Sequence, residues 1–123
     1  NKKKISIRKA RSFFKIQDLL YSCDIGLSTV ILKREVFSNN IKFPNIKTKE
    51  DFILWLRILK KKIPIIALDR NLSCWRKINN SLSSSTIQKI FDGFKVYYVY
   101  MNYGIFRSIL NLIYLSVNFL KKK

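Results

Sequence analysis

The 123-residue sequence contains no histidine, and this absence excludes several kinds of site. Without an imidazole, neither a Ser-His nor a Cys-His nucleophile pair can form, and no metal ion can have histidine ligands. A general base must therefore be a carboxylate, cysteine, lysine or tyrosine side chain.

Cysteine is nearly as scarce, since the chain has only Cys23 and Cys74. The two lie far apart in apolar surroundings and form no CxxC motif, which excludes a zinc knuckle and a redox pair. We expect two buried thiols in a reducing compartment rather than a disulfide.

Acidic residues are also few, because 7 Asp and Glu stand against 25 Lys and Arg, a formal net charge of +18. Such a surface attracts phosphates, nucleic acid or anionic lipid. An apolar content of 48% is enough to build one domain around a core. The chain opens with Asn1 and has no signal-peptide pattern, so we expect it to be a piece of a longer protein.

Local patterns in the first two thirds of the chain predict helices and strands in alternation. A short helix is expected at 16–23 with Leu19 and Leu20 inward, and a second helix from Thr48. In that second helix, Thr48 and Asp51 have the spacing of a capping box. Runs rich in β-branched residues predict strands at 25–32, 63–68 and 72–76, with a loop at 36–47.

The last third of the sequence predicts long helices. Serines that end a polar loop can cap a helix that begins near Thr86, and Gly104 interrupts the helical pattern before it resumes over 105–120. That final segment is apolar except for one narrow stripe, and it is shorter than the roughly 20 residues that span a bilayer. It therefore predicts a helix in the membrane interface, with the terminal lysines on the headgroups. The stripe consists of Arg107, Asn111, Tyr114 and Asn118, and an apolar set recurs earlier at Ile87, Phe91, Phe94, Tyr98 and Met101.

The only adjacent carboxylates are Glu50 and Asp51, at a predicted helix start that follows a loop. A carboxylate in this position fits two interpretations, a general base for a hydroxyl nucleophile or a simple helix cap. Trp55, one turn further along, fits either a sugar-stacking surface or the core.

Three segments together resemble the second half of a family-two bacterial glycosyltransferase with a GT-A fold, the kind that assembles cell-surface polysaccharide. They are IGLSTVILKREVF, TKEDFILWLRILKK and NLSCWRKINNSLSS, within a resemblance that covers about residues 16 to 90. Three departures stand out. Trp75 replaces the family's usual tyrosine, Ile78 stands where many members have a histidine that can assist the metal site, and no Asp-x-Asp motif occurs in the chain.

The resemblance implies an α/β fold, the C-terminal portion of a GT-A-type nucleotide-diphospho-sugar transferase fold over 1–90. The apolar pattern that follows predicts an amphipathic, membrane-associated helical tail over 91–123. The resemblance also implies a role for each matching residue. Asp51 matches the catalytic base for inverting transfer, and Glu50 matches its supporting neighbour. Gly26 and Ser28 match the strand that lines the sugar pocket, Arg76 matches an arginine near the donor diphosphate, and Trp55 is the candidate for sugar stacking.

The resemblance implies a nucleotide-sugar donor and a glycan or lipid-linked glycan acceptor as partners, with no nucleic acid. The apolar last helix and its basic end predict an anionic membrane surface as a further partner and a peripheral location on the cytoplasmic face of the cell membrane. A divalent metal, Mg or Mn, is expected for the full-length enzyme, with its ligands upstream of this chain, so the isolated chain should be inactive. Two alternatives stay open from charge and amphipathicity: a small basic nucleic-acid-binding protein and a non-catalytic membrane-surface protein.

Overall fold

The computed structural model describes residues 14–38, 40–70, 72–74 and 85–121, and this part of the chain is mostly helical. Helical conformations account for 58% of it, and no strand or sheet forms within it. The five α-helices are α1 (Ile16–Tyr21), α2 (Glu35–Ser38), α3 (Glu50–Lys60), α4 (Thr86–Lys95) and α5 (Ile105–Lys121). A 3-10 turn lies at Leu27–Thr29, and a π-helical turn at Val96–Tyr100 continues α4.

Helix α3 is the centre of the fold. Its sequence is apolar on nearly all sides, which is typical of a helix surrounded by other elements. Leu54 and Leu56 are fully buried, and Phe52 packs edge-to-face against Tyr97 of the π-helical turn at a ring-centroid distance of 6.4 Å. Helix α1 packs against α3 on one side and α5 on the other, and α4 packs against α5.

Several helix boundaries confirm the sequence prediction. Helix α1 buries Leu19 and Leu20, and α4 begins at Thr86. The Ser85 hydroxyl accepts a hydrogen bond from the Gln88 amide at 3.3 Å, as expected of a capping serine. The chain also leaves helical structure around Gly104 before α5 starts.

The α/β fold class is wrong for the described residues. Residues 25–32 contain the 3-10 turn, residues 63–68 hold only an isolated bridge at Ile66, residues 72–74 form no regular element, and residues 75–76 lie outside the described part. The physical reason is that β-branched residues favour a pleated surface, whereas a strand exists only when a second segment supplies its hydrogen bonds. The side chain of Ile31 is 99% exposed, as expected for a strand-like run with no sheet around it. The predicted loop at 36–47 also contains the short helix α2.

The buried faces of the last two helices differ from the apolar patterns in the sequence. Helix α4 buries Asp92 and Gly93, while Ile87 and Phe91 are exposed. Helix α5 buries Ser108, Asn111 and Leu115. Both helices therefore present much of their apolar surface outward.

No helix in the described ranges combines the length and apolar character needed to cross a bilayer. No disulfide joins Cys23 to Cys74. Cys74 is exposed, although the sequence predicts a buried thiol at this position. The division at residue 90 falls inside α4, and it stays a prediction.

Candidate functional site

Glu50 and Asp51 are the first two residues of α3, and both are half-buried. The residue before them, Lys49, takes a left-handed conformation with φ of 72°. Non-glycine residues adopt this conformation uncommonly, because their Cβ crowds the backbone. The sharp turn at Lys49 directs the chain into α3 with the two carboxylates at its first turn.

The capping box predicted for Thr48 and Asp51 does not form. The N-cap residue is Lys49, which makes no side-chain cap, and Asp51 is therefore at the second helical position. The Asp51 Oδ1 atom accepts a hydrogen bond from the Phe52 amide at 2.7 Å. Among the described residues, no group donates a hydrogen bond to Oδ2.

Thr48 is instead tied to helix α4. Its amide and its hydroxyl both donate hydrogen bonds to Asp92 Oδ2, at 3.0 Å and 2.8 Å. Gln88, one turn earlier on α4, donates from Nε2 to Asp92 Oδ1 at 3.0 Å. The two bonds from Thr48 hold the segment that precedes Glu50 against a helix 44 residues away in sequence, and the bond from Gln88 lies within that helix.

The charge of Asp92 is stabilised where it lies. The side chain is only 1% exposed. Burial raises the pKa of this carboxyl, but the hydrogen bonds from Gln88 and Thr48 and the nearby charge of Lys95 outweigh burial, so the pKa lies below its ordinary value. Asp92 therefore stays ionised at neutral pH, and hydrogen-bond donors contact both of its carboxylate oxygens. These contacts make it a structural anchor for the carboxylates of α3.

An open groove of about 440 Å³ lies where α4 meets the segment before α3. It contains cationic side chains, amides and aromatic rings, which together suit a polar ligand that carries negative charge. The Lys95 ammonium also lies over the Phe91 ring, 5.0 Å from its centroid. The groove is lined by Asn45, Ile46, Lys47, Gln88, Phe91, Asp92, Lys95 and Tyr100.

Gly26 and Ser28 lie at the exposed 3-10 turn and take no part in the hydrogen bonds between Thr48, Gln88 and Asp92. The Gly26 carbonyl accepts from the Thr29 hydroxyl at 2.7 Å, within the same turn. A Cβ at Gly26 would come no closer than 3.8 Å to the Thr29 hydroxyl oxygen, an ordinary contact. The close approach of a neighbour or ligand that the sequence suggested at Gly26 is therefore not seen among the described residues.

Trp55 is buried in the core at 1% exposure. Its indole Nε1 has no acceptor within the described residues, and no face of the ring is open to a sugar in this structure. The burial favours the core interpretation of Trp55. Arg76, Trp75 and the Ser81–Ser83 run lie outside the described residues.

Sequence reasoning missed Asp92 and the groove. Asp92 stands alone in a helix, where an isolated carboxylate usually faces solvent, so the sequence pattern does not single it out. A signal does exist, because the i to i+4 spacing of Gln88 and Asp92 lets their side chains meet on one helix face. The contact between Asp92 and Thr48 has no such signal in the sequence.

The described residues include no group of three or more His, Cys, Asp or Glu side chains placed to hold a metal ion. The divalent metal expected for the full-length enzyme, with ligands upstream of this chain, stays a prediction.

Comparison with known proteins finds one similar protein over part of this chain. No protein-family model matches the chain, and no solved structure matches it significantly. Over 68 residues the chain is 38% identical to a protein of Bacillus subtilis (strain 168) named "Putative teichuronic acid biosynthesis glycosyltransferase TuaG". The matched segment is 55% of this chain but 27% of that relative, so the chain spans well under two thirds of the relative's length. Over this segment, the chain is related to a glycosyltransferase.

Proposed function

We propose that this chain contributes the acceptor side of a glycosyltransferase that makes a cell-surface polysaccharide. The enzyme would move a sugar from a nucleotide-sugar donor to a hydroxyl of a glycan or a lipid-linked glycan. The observation that carries the proposal is the 38% identity to TuaG, whose name assigns that relative to teichuronic acid biosynthesis. Because the match covers 27% of TuaG, the activity is proposed for the whole protein of which this chain is part.

In the proposed reaction, Asp51 is the general base. Its Oδ2 takes the proton of the acceptor hydroxyl as the hydroxyl oxygen attacks the anomeric carbon of the donor sugar. The new carbon–oxygen bond forms as the bond to the diphosphate breaks, and the nucleoside diphosphate leaves with the electron pair. In-line attack from the opposite face inverts the anomeric centre. The hydrogen bond from the Phe52 amide to Oδ1 supports this role, because it orients the carboxylate.

Glu50 is proposed as the neighbour that supports Asp51, and the groove beside Lys47 and Lys95 as the place where the acceptor lies. Lys47 is three residues before Glu50 in sequence, so an acceptor held in the groove would lie close to the start of α3. Lysine ammonium groups and side-chain amides suit the hydroxyl, carboxylate or phosphate oxygens of such an acceptor.

The donor side of the reaction is proposed to lie largely outside this chain. Gly26, Ser28 and Arg76 keep the roles that the resemblance implies, near the donor sugar and its diphosphate. A divalent metal would neutralise charge on the diphosphate, with ligands supplied by another part of the protein.

The test is sugar transfer by the full-length protein after Asp51→Asn substitution. Asparagine keeps an acceptor oxygen for the Phe52 amide but cannot take up a proton. We expect a loss in rate of about a hundredfold or more, with a melting temperature near that of the native enzyme. The release of nucleoside diphosphate, measured with and without acceptor, reports the rate.

Asp69→Asn is the matched control, because Asp69 is an exposed carboxylate outside the site. This variant should transfer sugar at the native rate. Near-native transfer by a folded Asp51→Asn enzyme would remove Asp51 from the chemistry, and absence of transfer from every nucleotide-sugar by the native protein would overturn the proposed function.

A further inference from the structure

Helix α5 faces the protein with a narrow side that carries most of its polar residues together with the buried Leu115. The residues it buries include Ser108 and Asn111, and Asn118 donates a hydrogen bond from Nδ2 to the Tyr21 carbonyl of α1 at 2.9 Å. At the border between this face and the outward one, the ring of Tyr114 packs against the ring of Tyr21, with centroids 5.3 Å apart. The polar face of α5 is therefore committed to the fold.

The opposite side of α5 is apolar and exposed. At about 100° per residue, the outward side chains occupy one continuous arc of about 180°. Phe106 is 87% exposed, and every other member of this arc is more than 40% exposed. The apolar members of the outward face are Ile105, Phe106, Ile109, Leu110, Ile113, Tyr114, Val117 and Leu120.

Such a face requires a non-aqueous partner, because a contiguous apolar patch of this extent is rare on soluble monomers and marks an interaction site. A usual surface helix turns its apolar stripe toward the core and its polar residues toward water. Helix α5 has the reverse arrangement.

The electrostatics of the chain select the partner. With a net charge of +18, two copies of this chain repel each other, whereas anionic lipid headgroups attract them. Arg107 stacks on the Tyr103 ring at 4.1 Å, at the N-terminal end of α5. Lys121 ends the helix, and the sequence continues with two more lysines. Cations at the two ends of an apolar helix face suit a helix that lies in the plane of a membrane interface.

We propose that the outward face of α5 docks on an anionic lipid bilayer and that α5 lies in the interface with its polar face against the protein. The apolar side chains enter the boundary between headgroups and acyl chains, and the basic residues contact the headgroups. This proposal does not depend on the chemistry proposed for Asp51.

The test is flotation of the 123-residue chain with vesicles of phosphatidylcholine, alone or mixed with phosphatidylglycerol. We expect binding to the mixed vesicles. A Phe106→Ser, Leu110→Ser, Ile113→Ser variant should bind them at least about tenfold more weakly, because it loses three large apolar side chains from the docking face. At about 1 M sodium chloride, where the screening length is about 3 Å, the native chain should keep more of its binding than the variant.

The matched control is the Ile31→Ser, Ile66→Ser, Leu68→Ser variant, since these side chains are as exposed as those on α5 but lie elsewhere. It should bind within about twofold of the native chain. Circular dichroism checks that both variants keep native helix content. Equal binding by the α5 variant and the native chain, or no binding to either vesicle, would overturn the proposal. So would sedimentation equilibrium that shows a native dimer dissociated by the α5 substitutions, because the face would then belong to a second copy.

Discussion

At the scale of single residues, Asp92 organises the candidate site although it lies outside the sequence motif. It accepts three hydrogen bonds, two from Thr48 and one from Gln88, and so connects α4 to the residues that precede Glu50. Hydrogen bonds to an ionised group are stronger than neutral ones, and a buried group that loses them costs more still. The position of the α3 carboxylates therefore depends on a side chain far along the sequence.

Asp92→Asn is expected to lower the free energy of unfolding at pH 7 by about 1–3 kcal/mol, because the charge on this hydrogen-bonded acceptor is lost. The pKa of Asp92 lies below its ordinary 3.8, so its charge stabilises the folded state fully above that value. This stabilisation is lost as the pH falls through the folded-state pKa. The stability difference between the native chain and the variant should therefore be constant near neutral pH and shrink below about pH 4.

Urea denaturation of both proteins across this pH range measures the difference. Asp69→Asn again serves as the control, because Asp69 is exposed. A difference for Asp92→Asn that is independent of pH down to pH 3 would contradict the assigned charge state.

At the scale of elements, a single buried hydrogen bond connects the π-helical turn to α1. The Tyr97 hydroxyl donates to the Leu20 carbonyl at 2.5 Å, across 77 residues of sequence. Tyr97 is fully buried, and burial raises the pKa of its phenol well above the ordinary value. The hydroxyl therefore stays protonated and donates throughout the physiological range. The contact holds α1 against the π-helical turn that continues α4, the helix that carries Asp92.

Tyr97→Phe is expected to lower the free energy of unfolding by about 1–3 kcal/mol, because the Leu20 carbonyl, at the end of α1, loses its donor in a buried setting. Tyr98→Phe, at the next position, is the matched control, since Tyr98 is 45% exposed and its change should fall within about 0.5 kcal/mol. Chemical denaturation measures both variants. Equal stability of the two would show that the Tyr97 hydroxyl does not stabilise the fold.

At the scale of the whole molecule, charge of one sign dominates. A chain with 25 basic and 7 acidic residues repels itself when it becomes compact, and added salt screens this repulsion. The same charge steers the molecule toward anionic surfaces and suits the lipid partner proposed for α5.

Moderate sodium chloride is therefore expected to raise the melting temperature by a few degrees. A Lys33→Glu, Lys42→Glu, Lys61→Glu variant, changed at three exposed positions, should show a smaller dependence on salt because its net charge is lower. Thermal melts across a salt series measure both proteins. A native melting temperature that falls with salt would contradict the dominance of self-repulsion.

The local features of this protein were predictable from the sequence alone. Helix α3, the Ser85 cap, the interruption near Gly104 and the start of α5 all depend on residues within one or two turns of each other. Helical periodicity and capping are short-range effects, so the residues close by in the sequence determine them. The adjacent carboxylates Glu50 and Asp51 were visible in the same way.

Only the tertiary structure decided the features that join distant parts of the chain. The strand-like runs at 25–32 and 63–68 do not form a sheet in the described part, because a sheet depends on partners that sequence pattern cannot supply. The hydrogen bonds from Thr48 to Asp92 replace the predicted capping box, because a partner 44 residues away satisfies the threonine. Helix α5 turns Asn111 inward and Phe106 outward, because amphipathicity defines two faces while packing against α1 decides which of them meets the protein.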